Sequence, residues 1–229
     1  MIETAASSKT QSDLPMNAEL WEQGLSLRDF IDQMTANQEA MARRFATVRL
    51  SEGNCAIFAA IQHPIRVLVM SEDWCGDSLM NLPILARLAE AAPGMELRVF
   101  IRSREPDLDH YYRERGITKI PVFTFMDANF SEIATWVERS KAARERLAEW
   151  HAAHPEIEAM RHDPALDDEE RRARLREIGV KLLPEMESWY IDRLQQATVE
   201  ELKEILLPTL FQSGSDSLEK GIDDSQIEK

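Results

Sequence analysis

The chain has 229 residues, 44% of them hydrophobic, with 27 Lys and Arg against 41 Asp and Glu for a formal charge of −14. That acidic balance argues against nucleic acid or an anionic membrane as the main partner, because both need basic surface. Two cysteines cannot build a disulfide scaffold and suit a reducing, cytoplasmic compartment, and no apolar run approaches the roughly 18 residues that span a bilayer.

Taken in order, residues 1–16 are polar, lack the apolar segment of a secretory signal and read as a disordered N-terminus. Residues 17–46 read as an N-terminal helical extension. Asn17 caps a first helix that Gly24 ends, and Ser26 caps a second with Leu27, Phe30, Ile31 and Met34 on one face. A short strand is expected over 47–50, then a helix capped by Ser51 that runs to about Gln62, before Pro64. Residues 65–71 form an apolar run with β-branched side chains, the pattern of a strand buried on both faces. From Leu79 the spacing turns helical through Leu82, Leu85 and Leu88, with a kink expected at Pro83 and an end at Pro93-Gly94.

Alternation at Leu97, Val99 and Ile101 marks a strand over 96–101, and a helix follows from Pro106 to a C-terminal Gly116. Residues 121–126 and 132–137 form a hairpin around Asp127-Ala128-Asn129. The order is β-α-β-α-β-α-β-β with a closing helix over 141–153, the first three strands parallel and the last pair antiparallel. Residues 47–153 are thus an α/β core, and 154–208 a C-terminal helical extension. That extension has a short helix over 155–161 and a long one opened by Asp163-Pro164, with Leu175, Ile178, Leu182, Met186, Trp189, Tyr190 and Leu194 at helical spacing. A capping box at 198–201 opens a final helix through Leu206, and 209–229 reads as a disordered acidic tail.

The chemistry points to Cys75. It sits where the buried strand turns into the helix, a place where unpaired N–H groups and the helix dipole favour a thiolate and depress a cysteine pKa. Asp73 and Asp77 flank it and would act against that, or simply cap the helix. Ser78 could hydrogen-bond the thiolate. Cys55, beside Ala56, Ile57 and Phe58, reads as a packed residue. His151, His154 and His162 read as solvent-facing rather than as metal ligands, and the acidic 167–170 followed by the basic 171–176 reads as complementation of a helix dipole. No cofactor or metal is expected.

Trp74-Cys75-Gly76-Asp77-Ser78, Pro83 in the following helix and Ile120-Pro121 before a strand together resemble the thioredoxin superfamily. The likeness is strongest to bacterial thioredoxin-like proteins that carry Glu-Asp-Trp-Cys-Gly-Asp followed by Asn-Leu-Pro, here at 72–77 and 81–83. Trp136, Trp150, His154-Pro155 and Trp189-Tyr190 also look like that group. The resemblance implies a three-layer thioredoxin-like fold, a mixed sheet flanked by helices, with helical extensions at both ends. It implies a cis Ile120–Pro121 bond, Cys75 as nucleophile, and Trp74, Gly76, Asp77, Ser78, Ile120 and Pro121 at the substrate. The family's Cys-x-x-Cys is here Cys75-Gly76-Asp77-Ser78, so a resolving thiol must come from outside. The partners implied are protein or low-molecular-weight thiols and disulfides. A thiol redox sensor and a non-catalytic peptide-binding module stand as alternatives. A glutaredoxin-type iron–sulfur site is disfavoured because Ser131-Glu132-Ile133 stands where that family has a Gly-Gly pair.

Overall fold

A computed structural model describes residues 14–61 and 63–211. Four strands, β1 (Ile65–Ser71), β2 (Met95–Ile101), β3 (Val122–Met126) and β4 (Glu132–Val137), form one mixed sheet in the order β2-β1-β3-β4. Helices α1 (Ala18–Gln23), α2 (Leu27–Gln33), α3 (Gln38–Thr47) and α4 (Glu52–Ala59) precede it, and α5 (Gly76–Ala91) and α6 (Pro106–Glu114) connect its strands. After it come α7 (Lys141–Ala153), α8 (Pro155–Arg161), α9 (Asp168–Trp189) and α10 (Gln195–Phe211), the last two joined by a π-helical turn over Tyr190–Leu194.

β1 runs parallel to β2, with Val69 opposite Val99, and antiparallel to β3, which pairs antiparallel with β4. A parallel neighbour needs a crossover, and α5 supplies it. Because side chains alternate along a strand, β1 feeds two cores. Val67 and Val69 pack with Leu82, Ile84 and Leu85 of α5 and with Leu202 of α10. Leu68 and Met70 pack on the other face with Trp21, Leu108 and Tyr112. Helices therefore cover both faces of the sheet, as the α/β reading requires.

Side-chain caps start several helices. Asn17, Ser26, Ser51 and Ser140 each accept a backbone N–H of the first turn that follows. Gly116, at φ 75°, closes α6, with its own N–H on the Arg113 carbonyl and the Ile117 N–H on that of Tyr112. That pair of hydrogen bonds is a Schellman ending, and it requires the left-handed conformation glycine tolerates.

Several expectations need correction. Residues 47–50 form no strand. Thr47 ends α3, where its hydroxyl donates to the Arg43 and Arg44 carbonyls at 3.0 and 3.1 Å, and the Arg49 carbonyl accepts from Gln195 Nε2 at 2.7 Å. Leu25 meets the outer edge of β2 instead, trading backbone hydrogen bonds of 2.9 and 2.8 Å with Val99. The described sheet thus has four strands and one parallel pair, not five strands with three parallel. Leu14 and Met16, expected in a disordered segment, are buried in the smaller core; the rest of that expectation, 1–13, lies outside the described residues. The cap of α9 is Asp167, which accepts from Glu169 and Glu170, rather than Asp163. Thr198 caps nothing: the helix is already running at Gln195, and Thr198 is buried within it. α10 continues past Leu206 and Pro208 to Phe211, and the expected tail beyond it lies outside the described residues.

Candidate functional site

Cys75 is the N-cap residue of α5, directly after the turn that leaves β1. Its side chain makes no capping bond; the thiol instead donates to the Ile120 carbonyl at 3.5 Å, next to the cis Ile120–Pro121 peptide. The structure thus brings the two separated sequence motifs together. Cys75 is only 7% exposed, and Ile120 and Pro121 are buried. Trp74, by contrast, is 64% exposed.

Burial pushes the Cys75 thiol above its ordinary pKa, and the nearby charge of Asp77 pushes the same way. The Ser78 hydroxyl and the N–H groups of Ser78 and Asp77 oppose that rise without reversing it. The expected depressed pKa is therefore corrected. The helix N-terminus does favour the thiolate, but desolvation outweighs it.

Neither flanking carboxylate caps α5. Asp73 Oδ2 accepts from Thr35 N at 2.8 Å, Thr35 Oγ1 at 2.8 Å and Ala36 N at 3.1 Å, and Asn37 Nδ2 donates to the Asp73 carbonyl at 3.0 Å. Partial burial raises the Asp73 pKa, but these bonds outweigh it and leave the carboxyl below its ordinary value. Asp73 thus clamps the α2–α3 link to the site. Asp77 turns inward and pairs with Arg139, whose Nε lies 2.7 Å from Oδ1 and whose Nη2 meets Oδ2. Burial pushes the Asp77 carboxyl up, and the guanidinium pulls part of that back.

Ser78 is fully buried, and its Oγ accepts from the Ser71 hydroxyl at 2.8 Å. Asp77 and Ser78 are both buried, and both act on the charge state of Cys75.

Asn81 ties the site to distant elements. Its Nδ2 donates to the Asp77 and Glu138 carbonyls at 3.0 and 3.2 Å, and its Oδ1 accepts from Tyr190 at 3.0 Å and Thr198 at 3.4 Å. All four hydrogen-bonding positions of the amide are used. Sequence reasoning did not single out Ser71, Arg139, Tyr190 or Thr198 as neighbours of the site. The polar Asn81 amid apolar helix positions was the one signal that a buried network existed.

The remaining candidates lie elsewhere. Cys55 sits half-buried on α4, and both thiols are free. His154 is not solvent-facing: its ring stacks on Trp150 with centroids 4.1 Å apart, and Nδ1 lies 2.8 Å from the Trp150 carbonyl. His162 sits 2.8 Å from Glu158 Oε1. Among the described residues no group of three or more His, Cys, Asp or Glu could hold a metal ion, and no helix is long and apolar enough to cross a membrane.

The thioredoxin family model matches residues 24–153, more than half the chain. The chain belongs to the thioredoxin family. Among solved structures it is similar to a Pseudomonas aeruginosa protein of unknown function, at 20% identity and a TM-score of 0.59 over 84% of this chain and 97% of that one. That likeness shows the fold and extends it to the helical additions. An HIV epitope scaffold is 28% identical over 55% of this chain and 79% of its own, with a TM-score of 0.49. Yeast mitochondrial thioredoxin 3 is 21% identical over 46% of this chain and 97% of its own, with a TM-score of 0.29. No curated protein matches the chain.

Proposed function

We propose that the protein is a single-cysteine thiol–disulfide oxidoreductase that works through Cys75 in a reducing, cytoplasmic compartment. The observation that carries this reading is the thiol at the N-cap of α5, 3.5 Å from the Ile120 carbonyl beside the cis-proline bond. In the reaction, Cys75 loses its proton and its thiolate attacks one sulfur of a disulfide. The substrate's S–S bond breaks, the departing sulfur leaves as a thiolate and takes up a proton, and a mixed disulfide remains on Cys75. The Asp77 and Ser78 N–H groups and the Ser78 hydroxyl favour the charged sulfur. Ser78 cannot resolve the adduct, so an external thiol, from a small molecule or a protein, attacks the substrate's sulfur in the mixed disulfide; that S–S bond breaks, and Cys75 leaves as a thiolate and is restored. Trp74 offers the exposed apolar surface against which a partner rests.

The burial of Cys75 favours a second reading, a binding module or slow sensor whose thiol turns over little. One experiment separates them. With Cys55→Ser, the folded protein is incubated with a small disulfide and followed by mass spectrometry. An adduct on Cys75 that added thiol removes, with repeated turnover, supports the enzyme. A folded chain that never forms the adduct, while the denatured chain does, refutes it.

A further inference from the structure

Gly76, the first residue of α5 and the neighbour of Cys75, is closed on one side by a residue far away in sequence. A Cβ placed on Gly76 would lie 3.0 Å from Leu183 Cδ2 of α9. That spacing is tighter than ordinary carbon–carbon contact, so a side chain at 76 and Leu183 cannot both keep their places. The segment that follows Leu183 is anchored to α7 and α5. Trp150 Nε1 donates to Glu185 Oε2 at 3.0 Å, Met186 is buried, and Tyr190 reaches Asn81. Leu183 of α9 thus lies against the Cys75–Gly76 turn, and the Ile120–Pro121 segment touches the thiol itself.

We propose that Leu183 is a specificity-determining residue that restricts Cys75 to low-molecular-weight disulfides and excludes disulfides on folded protein surfaces. The inference rests on the thiol–disulfide reading above and names its substrate class. The attacked disulfide must bring one sulfur into line with a thiol that is 7% exposed and whose neighbour Gly76 lies against Leu183 of α9. A small disulfide can reach so buried a sulfur end-on, whereas a folded protein surface would first have to displace Leu183 from the turn it packs on. Selection here comes from exclusion of the wrong partner rather than extra attraction for the right one. Gly76 belongs to the same device, since its missing side chain is what lets Leu183 approach so closely.

The test reads access to the thiol and needs no turnover, so its failure is distinct from a failure of the redox reading. In full-length protein with Cys55→Ser, Cys75 is alkylated by iodoacetamide and, separately, by a maleimide on a long polyethylene glycol. Rates are normalised to the denatured chain. The folded protein should favour the small reagent by about tenfold, a modest difference in barrier. Leu183→Ala should collapse that preference, and Leu183→Phe should slow both reagents. Gly76→Ala should also slow both, with Leu183→Ala restoring the rate in the double variant. Circular dichroism confirms that each variant is folded. The same variants are then offered a small aromatic disulfide and a folded disulfide-bonded protein; Leu183→Ala should gain mainly on the second. Equal normalised rates for the two reagents in the parent, or an unchanged ratio in folded Leu183→Ala and Leu183→Phe, overturns the proposal.

Discussion

Asn81 and Tyr190 stand 109 positions apart and meet in a buried 3.0 Å hydrogen bond. One belongs to the helix that carries Cys75 and the other to the π-helical turn between α9 and α10. The C-terminal helices are thus bound to the helix that carries Cys75 through a polar group, and not only by apolar packing. Tyr190→Phe should cost about 1 kcal/mol in urea unfolding, because it removes one neutral hydrogen bond and leaves Thr198 as a remaining donor. Asn81→Leu should cost more, since it orphans the Tyr190 and Thr198 hydroxyls together. No loss in either variant would mean the network contributes nothing net.

Arg139→Met should be among the most damaging single changes. It leaves the Asp77 carboxylate buried without its cation, a situation that typically costs about 3–5 kcal/mol. The loss should depend on pH. Burial already places the folded pKa of Asp77 above its unfolded value, and removing Arg139 raises it further. Stability of the variant is therefore greatest below the unfolded pKa and falls as pH rises through the folded one. Urea midpoints at pH 5 and pH 8 check this: the gap to the parent should be wider at pH 8.

Asp73 has the opposite sign. Its folded pKa is depressed, so its contribution is present above the unfolded value and disappears as pH falls through the folded one. Asp73→Ala should cost about 1–3 kcal/mol at pH 7, since charged hydrogen bonds to Thr35 and Ala36 are lost. The gap between parent and variant should narrow as pH falls below the unfolded carboxylate value. A constant difference across that range would rule out a charge-dependent clamp.

The alkylation of Cys75 should rise with pH to a midpoint above about 8.5, the usual free-cysteine value. Asp77→Asn removes the second contributor to that shift, after burial, and should lower the midpoint without bringing it to the depressed range of strongly activated thiols. Iodoacetamide kinetics from pH 6 to 10, with Cys55→Ser, give both numbers directly. A midpoint below 8 in the parent would show that the helix N-terminus wins after all.

Much of this was legible in the sequence because it is local. The strand, turn and helix around Cys75 follow from residue type and spacing, and so do the hairpin and the serine caps. What the chain does not announce is where distant side chains land. Asp73 and Asp77 are both acidic residues beside a helix start, and capping was the natural reading. Their true partners, Thr35 and Arg139, lie 38 and 62 positions away. Thr47 to Leu50 has the composition of a short strand, yet a glutamine on α10 takes the Arg49 carbonyl and Leu25 takes the β2 edge. A four-residue propensity cannot compete with such tertiary partners. The depressed thiol pKa failed for the same reason, because burial by the rest of the fold is invisible at the level of the turn.

The bridge between Leu25 and Val99 carries a practical consequence for anyone who trims this chain. Removing residues before 47 would strip β2 of the only partner on that side among the described residues, and would also take away Thr35 and the apolar face of α2. The freed backbone groups of β2 would then offer themselves to a strand of another molecule, the usual route by which a cut sheet edge turns into an aggregate. A shortened version made to resemble an ordinary thioredoxin should therefore be cut outside Leu25, or have that edge blunted with a charged residue.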